Sequence, residues 1–145
     1  VLDPAGDLAE RLRIFSLPSE AMPDAVRRQY LSVMFYAGGE VSELGRSPTR
    51  MAEVLGCGLP VIVNEGIGDV ADIVRDNDVG VIVDGIGKDQ METAFKTLIT
   101  ILHDPDLPER CRATAERLFS LETGTTAYRG IYASILDSKN ASCAG

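Results

Sequence analysis

Histidine occurs once in the 145 residues, at His103, so a histidine-centred catalytic dyad or metal cluster lacks the residues it needs. Cysteine occurs three times, at Cys57, Cys111 and Cys143. That odd number at wide spacing fits neither a disulfide framework nor a zinc site, and reads as incidental thiols of a reducing compartment. Basic residues are also scarce: 14 Lys and Arg stand against 22 Asp and Glu, for a net charge of −8. This excludes a broad nucleic-acid surface, which needs a basic stripe. It leaves room for a local anion site made of backbone N–H groups and one or two arginines. No apolar run approaches the ~20 residues that span a bilayer, and no secretory leader pattern opens the chain at Val1.

What is present is enough for one core. The length suits a single domain, and 45% apolar residues is ordinary for a globular protein. Residues 7–12 read as the end of a short helix, 13–17 (RIFSL) as a strand closed by Pro18, and 22–30 as a helix with Pro23 in its first turn. Residues 31–37 (LSVMFYA), 60–64 (PVIVN) and 79–84 (VGVIVD) read as strands covered on both faces. Between them lie helices starting at Ser47, with Met51, Val54 and Leu55 inward, and over 68–77, with Val70, Ile73 and Val74 inward. Further helices are expected at 88–102 (apolar face Met91, Phe95, Leu98, Ile99, Leu102), 107–119 and 125–136. The expected domain is 1–137, with 138–145 a flexible tail. Strands alternating with helices specify an α/β fold: a Rossmann-like parallel sheet with flanking helices, binding ligands beyond the carboxyl ends of its strands.

Residues 47–70, SPTRMAEVLGCGLPVIVNEGIGDV, concentrate the chemistry. Ser47 reads as an N-cap with Pro48 behind it, a strong helix start. The loop 38–46 delivers that helix N-terminus, with its unpaired N–H groups and positive dipole end, to the carboxyl edge of the sheet. Gly45 permits close backbone approach, Arg46 and Arg50 can bond phosphate oxygens, and Ser47 and Thr49 bring hydroxyls. Glu53, one turn after Thr49, lies on the same helical face, where a carboxylate can accept two hydrogen bonds from vicinal hydroxyls such as those of a ribose. The same residues serve equally as an ordinary helix start with solvated charges. The turn 64–69 (NEGIGD) is a second candidate, although Gly66 and Gly68 are a weak phosphate-loop signal and Asp69 suits a helix N-cap.

Taken with the preceding VMFYA strand, residues 47–70 resemble the C-terminal domain of family 4 glycosyltransferases, the retaining GT-B enzymes. The hallmark of that family runs S-x-P-T-K or similar, a helix with E-Y/L-L-A-x-G-x-P-V-I, then a G-V-G-D-V turn. Matching positions are Ser47, Pro48, Thr49, Arg50, Glu53, Leu55, Gly58, Pro60, Val61, Ile62, Gly66, Gly68 and Asp69. VGVIVDG and FSLETGTTAYRGIYASIL are similar to the family's next strand and its closing segment, so the resemblance spans about residues 13–136. It implies a hexosyl-type glycosyltransferase that takes a UDP- or GDP-sugar as donor and requires no metal or other cofactor. Glu53 would hold the ribose, and Gly45, Arg46, Ser47, Thr49 and Arg50 the diphosphate.

Two departures qualify that picture. Eight residues before the ribose-binding carboxylate the family often has a glutamate near the donor sugar; here Gly45 stands there, and Glu43, two residues earlier, is the catalytic candidate. The chain also lacks the N-terminal acceptor domain and the first two strands of the nucleotide domain. In the family's 3-2-1-4-5-6 order the 13–17 strand would lie two vacant places from the 31–37 strand, a gap no hydrogen bond crosses at ~4.8 Å per strand. Either the chain is a fragment, or the first strand pairs differently, or a partner fills the hole; the expectation is the first, an inactive fragment of a cytoplasmic enzyme, or one peripheral to the inner face of the membrane. Its acceptor, a sugar or a lipid-linked one, would be read by the missing domain. Two alternatives stay open: a non-catalytic assembly or regulatory module that self-associates through an open sheet edge, and a different enzyme on a doubly wound sheet.

Overall fold

The computed structural model describes residues 13–37, 49–85 and 87–143. After a 3-10 turn, Ser19–Ala21, come helix α1 (Met22–Arg27), strand β1 (Ser32–Met34) and helix α2 (Thr49–Gly56). Strand β2 (Val61–Asn64), helix α3 (Val70–Asn77) and strand β3 (Gly80–Val83) complete the alternating part. Three helices close the chain: α4 (Lys88–Leu102), α5 (Leu107–Phe119) and α6 (Leu121–Cys143). The three strands form one parallel sheet in the order β1-β2-β3. The chain is thus α/β with a parallel sheet and flanking helices, an architecture compatible with a Rossmann-like fold.

Register assigns each strand residue to a face. Ser32 pairs with Val61 and Val61 with Gly80, while Met34 pairs with Val63 and Val63 with Ile82. Met34, Val61 and Val63 therefore share one face, and they are buried in a single cluster with Met51, Val54 and Leu55 of α2, Val70 and Val74 of α3, and Leu107, Cys111 and Ala115 of α5. The i, i+3, i+4 spacing of Met51, Val54 and Leu55 turns all three toward the strands. Each such burial stabilises by roughly 1.5–3 kcal/mol. On the opposite face, Val33 pairs with Ile62 and Ile62 with Val81. There α4 packs on β3, and Val81, Val83 and Leu98 are buried.

The α2–β2 turn shows how local chemistry positions these layers. Gly58 adopts φ +80, its N–H donates to Leu55 O (2.8 Å), and the Leu59 N–H donates to Val54 O (3.2 Å). This is a Schellman stop, which needs a residue tolerant of the left-handed region at Gly58. It turns the chain into β2 within three residues. Where β2 meets β3 the backbones approach closely: a Cβ at Gly80 would stand 2.0 Å from the Val61 carbonyl oxygen.

Several expectations need correction. Residues 13–17 form no strand; Ile14 and Phe15 are 88% and 66% exposed. A strand exists only where a neighbour completes its ladder, and the outer edge of β1 pairs with no described strand. On α4, only Leu98 of the expected apolar face is buried, whereas Met91, Phe95 and Ile99 are exposed. The last helix starts at Leu121 rather than residue 125 and continues to Cys143, through most of the segment read as a tail. The expected helix over 7–12 and the Ser47–Pro48 start lie outside the described residues.

Candidate functional site

Glu53 lines a cavity of about 400 Å³ together with Leu17, Ser19, Met22, Pro23, Val26 and Cys57. The carboxylate comes from the second turn of α2, and the opposing wall comes from the 3-10 turn and α1. Pro18, extended at ψ 153, ends the preceding segment, and the Ala21 N–H donates to its carbonyl at 3.0 Å. Pro23 sits in the first turn of α1, where its absent N–H costs nothing. Val26, packed against the core, anchors the six-residue helix beside α2. The result is an apolar wall of Leu17, Met22, Pro23 and Val26 facing one acid, with the Ser19 hydroxyl and Cys57 thiol at its margin. Glu53 makes no side-chain hydrogen bond or ion pair among the described residues, so both its oxygens are open to a ligand's donors.

Thr49 and Arg50 are exposed on the first turn of α2. Thr49 stands four residues, about 6 Å along the axis, from Glu53 and on the same face, as its spacing predicted. Gly45, Arg46 and Ser47, and the catalytic candidate Glu43, lie outside the described residues. Of the wall residues, only Pro23 was named from the sequence, and there as a first-turn residue of a helix, not as part of a site. The available signal was the pair of prolines, Pro18 and Pro23, that bracket a forced turn.

A second cavity, of about 370 Å³, lies at the carboxyl ends of the strands. Phe35, Tyr36, Asn64, Glu65, Val83, Asp84, Gly85 and Met91 line it. The Tyr36 N–H donates to Asn64 Oδ1 and Asn64 Nδ2 donates to Tyr36 O, both at 3.0 Å. The amide thereby continues the β1–β2 ladder two residues past Met34. Glu65 is paired with Arg75, which also holds Asp72; Glu65 is first among the causes that raise the Arg75 pKa. Asp69 occupies the N-cap position of α3 without a side-chain capping bond, and a Cβ at Gly66 would meet nothing within 4 Å. In the second candidate turn, then, Glu65 is committed to Arg75 and the space around Gly66 is open.

Among the described residues, no group of three or more His, Cys, Asp or Glu comes together in a form that could hold a metal ion. Cys111, on the inward face of α5, is buried, and desolvation pushes its thiol up to about 11 against the opposing pull of Arg110 and Arg112. No helix among the described residues is long and apolar enough to cross a membrane. Comparison of the chain with protein families, with characterised proteins and with solved structures finds no match.

Proposed function

We propose that this chain binds the nucleoside diphosphate of a nucleotide-sugar donor, as the donor-binding part of a retaining, hexosyl-type glycosyltransferase of the GT-B, family 4 kind. The observation that carries the reading is the cavity in which the uncommitted Glu53 carboxylate faces an apolar wall. A nucleoside needs both surfaces. Its base is a flat apolar body that gains by leaving water against Leu17, Met22 and Pro23. Its ribose presents two neighbouring hydroxyl donors, which a carboxylate accepts together. One helical turn toward the N-terminus, Thr49 and Arg50 stand where a diphosphate attached to that ribose would meet the positive end of α2.

In this reading the donor is a UDP- or GDP-sugar, and arginines with helix-end amides offset the diphosphate charge without a metal. The acceptor, a sugar or a lipid-linked one, would be bound by an N-terminal domain outside this chain. Transfer would take place in the cytoplasm or at the inner face of the membrane, and the chain by itself would not turn over. The test is thermal melting with UDP, GDP and ADP, on the native chain and on Glu53→Ala. One nucleotide should raise Tm by several degrees at a hundredfold excess over Kd, equivalent to about 2.7 kcal/mol, and the variant should lose the rise while keeping its unliganded Tm. A cooperative melt indifferent to all three nucleotides rejects the proposal.

A second reading, an assembly module, draws on the exposed apolar residues of α4 and α6. It predicts that indifferent melt together with self-association, either at the open β1 edge or elsewhere.

A further inference from the structure

The two walls of the Glu53 cavity are held in the fold by unequal means. One is α2, whose Met51, Val54 and Leu55 are buried in the core, Met51 and Leu55 with no solvent exposure at all. The other is the 3-10 turn with α1, and neither of these elements contains a buried residue. Neither begins with a side-chain capping bond, and the element that α1 chiefly contacts is the 3-10 turn just before it. Its ion pair, Arg27 with Asp24 at 3.2 Å, is exposed on both sides.

Val26, half-buried against the core, is what fastens α1. Beyond it, the Ser32 N–H donates to Pro60 O at 3.1 Å, where β1 begins. Ahead of it, residues 13–16 are exposed and belong to no strand. A six-residue helix closes too few backbone bonds to stand without tertiary support. Segments with few buried apolar contacts open locally at less free energy than the core. Residues 18–29 are therefore the weakly held side of the cavity, and α2 the firmly held one.

The weak side nonetheless carries the apolar surface. Met22 is 41% exposed, Pro23 is exposed, and Leu17 and Val26 are half-buried, and all four line the cavity. A flat apolar group set against them, with its hydroxyls on Glu53, touches both walls at once. Part of its binding energy then goes to ordering α1, because a ligand favours the state that presents its contacts.

On the nucleotide reading of this cavity, on which the inference rests, we propose that residues 18–29 form a clamp. It is open part of the time in the free chain and is fastened across the base when a nucleoside diphosphate binds. Helix α1 thereby sets affinity as well as lining the site. The apparent affinity is the intrinsic one multiplied by the fraction of molecules in which the clamp is formed. A change that loosens α1 without touching the cavity weakens binding through that fraction alone.

Hydrogen exchange tests this on the free chain and on the chain saturated with the nucleotide that most raises Tm, alongside Ala25→Gly. Ala25 lies in the middle of α1 and does not line the cavity. In the free chain, amides 26–29 should exchange on the order of tenfold faster than amides 53–56 of α2. Nucleotide should slow amides 26–29 by a similar factor, and Glu53→Ala should abolish the slowing. Ala25→Gly should leave the unliganded Tm in place, since the core does not include α1, and raise the nucleotide Kd by about two- to fivefold, the range set by the glycine penalty in a helix interior. Amides 26–29 already as slow as 53–56 in the free chain overturn the proposal. So does a nucleotide that raises Tm and leaves 26–29 as they were, or a Kd unchanged in Ala25→Gly; each of these refutes the clamp and keeps the nucleotide site. A chain whose melt and exchange are indifferent to every nucleotide refutes both.

Discussion

The two faces of the sheet are built from helices of the same amphipathic kind and end in different states. On one face α2, α3 and α5 bring apolar side chains to Met34, Val61 and Val63, and Met51, Leu55, Val61 and Val63 have no solvent exposure at all. On the other, α4 presents an equally regular apolar stripe, yet it packs chiefly on β3 and leaves Phe95 61% exposed. Periodicity thus says which side of a helix seeks burial. What is available to bury it depends on the number of elements that topology brings to that face.

The most severe way to break the contrast is to separate β2 from β3, because both faces hang on that ladder. Gly80→Ala places a methyl group 2.0 Å from the Val61 carbonyl oxygen, and the nearest atoms are backbone, which cannot rotate aside. The expected loss is about 3–5 kcal/mol, in the exceptional range for a single substitution, or failure to fold. Urea denaturation followed by circular dichroism measures it. A variant within 1 kcal/mol of the native chain would mean that the strands part at little cost.

A matched pair of truncations then compares the faces directly. Leu55→Ala empties a fully buried site on the packed face and should cost about 2–5 kcal/mol. Phe95→Ala removes a larger side chain from the open face, and should change stability by no more than about 0.5 kcal/mol. Equal losses from the same urea titrations would show that the α4 stripe is covered after all.

The same reasoning explains what could be read in the residues. Boundaries set by local chemistry were legible: the Gly56-Cys57-Gly58 stop of α2, and the bounds of α4 and α5, which coincide with those expected from apolar spacing. The three central strands were legible as apolar runs, although each ladder is shorter than its run. The RIFSL segment was not, because strand propensity is answered only when a neighbour supplies hydrogen bonds, and no spacing within residues 13–17 reports on that neighbour. Glu53 was readable as a candidate from its place on the α2 face. Its companions Leu17, Ser19 and Met22 were not, since they lie more than thirty positions earlier and meet it only through the packing of α1 beside α2. The exposure of the described side chains along α6 was invisible for the opposite reason: its apolar residues have a helical period, and period carries no information about what packs on that face.

The smallest effect sharpens the comparison by asking whether the two faces unfold together. Asp104, in the turn joining α4 to α5, accepts the Asp106 N–H at 2.9 Å and an Arg110 Nη2 bond at 2.8 Å. Arg110 Nε also donates to Asp78 O at the end of α3, at 3.0 Å, so this cluster ties α4 to the packed face. The Asp106 N–H first, and Arg110 after it, hold the Asp104 carboxyl below its usual range. A carboxyl lowered by folding contributes its full stability above the unfolded value of about 3.9, and loses it as pH falls through the lower folded value. Asp104→Asn should therefore melt slightly below the native chain at pH 6, with the gap closing as both are taken below pH 4. The group is partly exposed, so the shift in Tm will be small, and hydrogen exchange is the more telling readout. Amides of α4 should lose protection at pH 6 in the variant while those of α2 keep theirs. Equal loss in both helices would make the two faces one cooperative unit, and the open face would then owe its exposure to geometry alone and not to weaker attachment.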